Sequence, residues 1–185
     1  DNDRCLYKFI SANATSLEKG TLYVAQIDQG RWLALDRNAD PRLAKAFKDQ
    51  TELLIYTREA AVIVGGSKLD RPEDIEVDSK GQVYVATTNN SSKNRPHGSL
   101  LKIVESGNDA GALTFESSTF LAGGKTTGFS CPDNMALDRN GNLWLTTDIS
   151  GSKMGNEDYV YHGNNALFFI PLHGVWAGQP FRIAS

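Results

Sequence analysis

Arg71-Pro72-Glu73-Asp74-Ile75-Glu76-Val77-Asp78, continuing through Gly81-Gln82-Val83-Tyr84-Val85-Ala86-Thr87-Thr88, lies over Cys131-Pro132-Asp133-Asn134-Met135-Ala136-Leu137-Asp138 and Gly141-Asn142-Leu143-Trp144-Leu145-Thr146-Thr147-Asp148 when the chain is slid by 60 positions. Proline, an acid, aspartate, glycine, an aliphatic, an aromatic, an aliphatic and threonine recur in step. A repeat of this size is the signature of a supersecondary unit used more than once, such as a propeller blade. It places Glu73 and Asp133 at the same point of neighbouring units.

Outward from the repeat, the pattern is of short β-branched and aromatic segments. Strands are expected at 6–10, 20–27 and 31–35, at 82–88 and 99–104, and at 142–147 and 166–171, with 181–185 as an outer strand. The Asp-x-x-Gly phrase that opens two of them reads as a tight turn, because glycine tolerates positive φ. Apolar residues occupy both faces of 83–86 and 143–146, as in a sheet packed between other sheets. The fold class expected is mainly β, a partial β-propeller of about three blades, with units near 1–40, 72–125 and 132–185. A closed propeller has four or more blades, so the chain reads as a portion of a larger propeller whose missing blades are its partners.

One segment breaks the β pattern. Asp49-Gln50-Thr51-Glu52 resembles a capping box, and Gly65-Gly66 is a helix stop. A helical insertion is expected near 43–65, with Leu53, Tyr56 or Thr57, Ala60, Ala61 and Val64 facing the core. Two long polar loops, 89–98 and 148–165, follow equivalent strands at the same end of their sheets. Loops of that length tend to be functional or mobile.

The chain has 185 residues, 40% apolar and 22% charged, with a net charge of −3. That balance gives no support for nucleic-acid binding, and no apolar run is long enough for a membrane span. The opening residues Asp1-Asn2-Asp3-Arg4 show no apolar h-region of a signal peptide. Cys5 and Cys131 form no metal-spacing motif, and two free thiols are expected rather than a bridge. His97, His162 and His173 are scattered, and no serine-elbow, P-loop or dinucleotide fingerprint occurs. Asn13-Ala14-Thr15 and Asn90-Ser91-Ser92 are formal glycosylation sequons.

Chemistry points to the prolyl-acid corners. Carboxylates converging from two units repel one another unless a cation intervenes, and hard oxygen ligands suit calcium, magnesium or iron. Glu73 and Asp133 are therefore candidate metal ligands, against the plain alternative of acids capping their own turns. Glu76, Asn134, Asn90 and Asp148 are secondary candidates, with Asn89 beside them. Arg71, two residues before Glu73, is a candidate clamp for a phosphate or carboxylate group; an ion pair with a neighbouring acid is its alternative. Asp78 and Asp138 are assigned to turn structure.

The phrases Arg71-Pro72-Glu73, Thr87-Thr88-Asn89-Asn90, Phe129-Ser130-Cys131-Pro132-Asp133-Asn134-Met135-Ala136 and Gly141 to Asp148 resemble the PhoX family of bacterial alkaline phosphatases. So do Leu6 to Ser11 and Leu17 to Ala25. The resemblance implies an exported propeller enzyme, periplasmic or secreted, that hydrolyses phosphomonoesters with Ca2+ and Fe3+. It implies that Glu73 is an iron ligand, that Arg71 touches the substrate phosphate, and that Asp133 is a further metal ligand. The family's N-terminal cysteine-ligand phrase is not recognisable here, and Cys5 is not assigned that role. The Pro-Asp-Asn phrase alone is shared with gluconolactonase-like propellers. A calcium-dependent lactonase or esterase, or a non-catalytic scaffold, are the competing expectations.

Overall fold

The repeated phrase folds into the same hairpin twice. In the computed structural model, which describes residues 3–185, β4 (Pro72–Val77) pairs with β5 (Val83–Thr87), and β8 (Pro132–Leu137) pairs with β9 (Leu143–Thr147). Asp78 Oδ1 accepts the amides of Lys80 and Gln82, both at 2.9 Å. Asp138 Oδ1 accepts those of Asn140 at 2.8 Å and Asn142 at 2.9 Å. Gly81 and Gly141 sit at φ 76° and 74°, the left-handed conformation these turns demand. The backbone and side-chain bonds from Asn142 hold the Asp138 carboxyl down at about 2.

Three antiparallel sheets result. Their strand orders are β1-β2-β3, β4-β5-β6-β7 and β11-β10-β9-β8. The remaining strands are β1 (Tyr7–Asn13), β2 (Ser16–Gln26), β3 (Arg31–Ala34), β6 (Ser99–Glu105), β7 (Phe115–Ala122), β10 (Leu167–Ile170) and β11 (Phe181–Ala184). This mainly β, propeller-like architecture agrees with the sequence reading. Three strands were not expected. β4 and β8 carry the prolyl-acid corners themselves, which had read as turns because proline and paired acids are poor strand formers. β7 contains a run of polar residues that hides its alternation.

The chain forms two compact units. The first spans 70–104 and 117–185. Its core packs Tyr84, Leu100, Phe129, Leu143, Leu145, Phe168 and Ile170. Here β4 lies against β8, and the Asp74 carboxylate on β4 accepts the Met135 amide of β8 at 2.6 Å.

The second unit spans 3–69 and 105–116. The helical insertion belongs to it as α1 (Pro41–Ala46), α2 (Gln50–Ile55) and α3 (Thr57–Val64). Asp49 caps α2 by accepting the Glu52 amide at 2.8 Å, and Glu52 returns to the Lys48 amide at 2.6 Å. The expected continuous helix breaks at Tyr56, where the Thr57 hydroxyl donates to the Leu54 carbonyl at 2.5 Å and competes with the helical ladder. Tyr56 is consequently exposed, whereas Leu53, Ala60, Ala61 and Val64 join Val24, Leu35, Leu43 and Phe47 in the core. A buried ion pair completes this unit. Lys8 donates to Glu105 at 2.9 Å, and the other Glu105 oxygen accepts from the Trp32 indole at 3.1 Å.

Candidate active site

Both corners share one backbone device. Arg71 and Cys131, each preceding a proline, adopt φ 53°, a region costly for any residue but glycine. Each is clamped from beyond the paired strand: the Thr88 amide donates to the Arg71 carbonyl at 3.0 Å, and the Asp148 amide to the Cys131 carbonyl at 2.8 Å. The strand pairing then runs Pro72↔Thr87 and Ile75↔Val85, with Pro132↔Thr147 and Met135↔Leu145 in the repeat, skipping two residues each time. Those bulges contain Glu73-Asp74 and Asp133-Asn134. A bulge re-aims the side chains it holds, so the acids belong to irregular points of strands rather than to turns before them.

The Arg71 guanidinium is held on two sides. One terminal nitrogen donates to Glu73 Oε1 at 3.2 Å and the other to Asn89 Oδ1 at 3.3 Å. Arg71 and Glu73 both remain partly open to solvent. Arg71 is thus ion-paired with an acid, and the partner is Glu73 rather than Asp70, Asp74 or Glu76.

The charges of the two corners act on Asp133. Burial raises the Asp133 carboxyl above its ordinary value, the negative charges of Asp148, Glu73 and Asp74 raise it further, and Arg71 opposes them. Four carboxylates from both units of the repeat therefore share one electrostatic neighbourhood with one guanidinium. Their donor chemistry, carboxylate oxygen throughout, fits a hard cation such as calcium or ferric iron. Among the described residues, however, no three His, Cys, Asp or Glu side chains come close enough to close a ligand shell. The residues fit the group in kind and in charge, and supply part of a shell.

The secondary candidates separate. The Asp148 charge acts on Asp133, which places it with the corner. Asn134 lies in the β8 bulge beside Asp133, exposed. Glu76 lies farther along β4, opposite Tyr84 and beyond the bulge. Asn90 is engaged within its own loop. It is 1% exposed, its amide nitrogen donates to Asp70 at 2.9 Å, and its amide oxygen accepts from Ser92 at 2.6 Å. It holds the 89–98 loop, and the side chain of the sequon at Asn90 is buried. Asp70, which also receives Arg95 at 2.8 Å and Lys93 at 3.2 Å, is the hub of that loop. Burial pushes its carboxyl up, but these bonds outweigh burial and leave it lowered.

The two long loops are pinned to each other. The Tyr159 hydroxyl donates to the Pro96 carbonyl at 2.9 Å, and Lys153 reaches Ser91 at 3.3 Å. The rings of His97 and His162, 65 positions apart in sequence, lie 5.3 Å apart. Burial lowers the His97 pKa, and the neighbouring His162 lowers it further. Cys5 and Cys131 are both free thiols. Two residues at the corner carried no sequence signal of their role there. Asp74 ties β4 to β8, and Cys131 accepts a hydrogen bond from Asn89 at 3.3 Å through its buried sulfur.

A propeller-like segment whose repeated bulges gather carboxylates around one arginine is the class of site that this fold defines. Comparison with known proteins specifies it. The family model for alkaline phosphatase PhoX matches residues 1–178. A solved structure, Pseudomonas fluorescens PhoX in complex with vanadate, a transition state analogue, superposes with a TM-score of 0.86 at 27% identity, covering 99% of this chain and 40% of that one. A comparison with curated proteins found no match. The chain belongs to the PhoX alkaline phosphatase family, and spans two-fifths of the length of this solved relative.

Proposed function

We propose that this chain forms the phosphate-holding part of an exported, metal-dependent phosphomonoesterase, with Arg71 contacting the substrate phosphate and Glu73 and Asp133 serving as ligands to calcium and iron. The observation that carries the reading is Arg71 itself: one guanidinium, fixed by Glu73 at 3.2 Å, beside the Asp133 carboxyl that burial and neighbouring acids raise. A lactone carbonyl has no use for a guanidinium clamp, whereas a phosphate presents the paired oxygens it fits. Membership of the PhoX family and the vanadate complex of the solved relative support the same reaction.

The chemistry assigned to the chain is orientation and charge. Arg71 binds non-bridging phosphate oxygens and offsets charge on them as the bond to the leaving alcohol breaks. Glu73 fixes one terminal nitrogen of the guanidinium through its 3.2 Å hydrogen bond. Glu73 and Asp133 would hold the cations, with Asp148 near enough to add its charge. When bound, such cations supply Lewis acidity and neutralise phosphoryl charge. Periplasmic or secreted localisation follows the family expectation, and fractionation of cells expressing the natural polypeptide tests it.

The decisive measurement is hydrolysis of p-nitrophenyl phosphate by the full-length natural polypeptide supplied with calcium and iron. Arg71→Ala is expected to lower kcat/KM by about a hundredfold, and Glu73→Ala to lower bound metal together with activity. Unchanged metal content and turnover in both variants would leave a non-catalytic scaffold as the better account.

A further inference from the structure

Asn89 joins the two repeated corners through one side chain. It lies two residues past the end of β5 and is 8% exposed. Its amide oxygen accepts from the Arg71 guanidinium at 3.3 Å, and its amide nitrogen donates to Cys131 Sγ at 3.3 Å. Cys131 is itself immobilised. It is 1% exposed, sits at φ 53°, and directs its thiol toward the Pro96 carbonyl at 3.6 Å. The preceding residue, Thr88, clamps the Arg71 backbone through its amide. Backbone and guanidinium of Arg71 are thus both referenced to the end of one strand, and that reference is anchored on the second corner.

We infer that Asn89 is a positioning residue for phosphate binding, presetting the Arg71 guanidinium by a hydrogen bond braced on the buried Cys131 thiol. The inference rests on the phosphatase reading of Arg71. A long arginine side chain left free must be ordered when the ligand arrives, and preorganisation removes that cost from binding. Glu73 alone fixes one nitrogen of the fork; Asn89 fixes the other, and two points set the plane. An asparagine also holds without adding charge. A carboxylate in its place would repel an incoming dianion, which gives a reason for the residue type as well as for its location.

The test is a double-mutant cycle in the full-length natural polypeptide, reading KM for p-nitrophenyl phosphate, kcat, and the inhibition constant of inorganic phosphate. Asn89→Ala is expected to raise KM and the phosphate inhibition constant roughly tenfold, with a smaller change in kcat. In an Arg71→Ala background the same substitution is expected to change either constant less than about twofold, since the group it positions is gone. Equal cost in both backgrounds would show a purely structural asparagine and overturn the inference. An Asn89→Ala effect absent while Arg71→Ala weakens binding overturns it alone; an Arg71→Ala variant with normal constants overturns the phosphatase reading with it. If Asn89→Ala does not fold, Cys131→Ala is read in the same cycle. A roughly threefold rise that vanishes with Arg71→Ala supports the brace, and a background-independent rise overturns it.

Discussion

Asp133 holds the charge conflict of the corner. Its carboxyl is raised by burial and by Asp148, Glu73 and Asp74. A carboxyl raised in the folded state binds its proton more tightly folded than unfolded. Its ionisation therefore weakens the fold as pH climbs past the ordinary value of 3.8, and the penalty is complete above the folded pKa. Asp133→Asn is accordingly expected to raise the Tm of the metal-free chain at pH 7. Discounted for solvent screening, the rise is roughly 1–2 °C, and it disappears at pH 3. Calcium should raise the wild-type Tm at pH 7 and do less for the variant. Thermal melts with and without chelator check both, and a variant that melts lower at pH 7 refutes the conflict. On the proposed reading of Asp133 as a metal ligand, function and stability oppose each other at this residue.

At the scale of elements, bulges mark the strands at one edge of each sheet, where the acids sit. β4 and β8 pair with their neighbours in identical register, and each skips two residues where its acid sits. In the second unit the element-level counterpart is ionic. Lys8 of β1 and Trp32 of β3 both meet Glu105 at the end of β6, and Lys8 also donates to the Ala112 carbonyl at 2.6 Å and lies 4.7 Å from the Trp32 ring centroid. Glu105 and Lys8 side chains are 6% and 15% exposed, so removing one partner strands the other. Glu105→Ala is expected to cost about 3 kcal/mol, read by urea denaturation, whereas an effect below about 1 kcal/mol would class the pair with surface bridges.

For the whole molecule, the question is how much of a phosphatase this chain carries. It aligns with 40% of the solved relative, and among its described residues no set of three ligands is assembled. Phosphoryl transfer depends on positioned positive charge; with one arginine and part of a shell, that charge is incomplete. The 185-residue chain alone, supplied with calcium and iron, is expected to turn over p-nitrophenyl phosphate at under about 1% of the full-length natural polypeptide. Comparable turnover would mean that the residues described here suffice.

Local chemistry was legible where the signal is local. The Asp-x-x-Gly turns, the strands beyond them, the Asp49 cap and the 60-residue repeat follow from short-range rules of φ, alternation and hydrogen bonding; Glu73 and Asp133 were singled out by that repeat, and Arg71 by its place two residues before Glu73. What the chain order conceals is anything built across it. The bulges that make β4 and β8 strands depend on pairing with β5 and β9. Asn90 meets its partner Asp70 from 20 positions away, and His97 and His162 looked unrelated until folding stacked their loops. The link from Arg71 through Asn89 to Cys131 exists only because two sheets bring their ends together. Periodicity along the chain decides which residues repeat; only packing decides which of the repeated side chains meet.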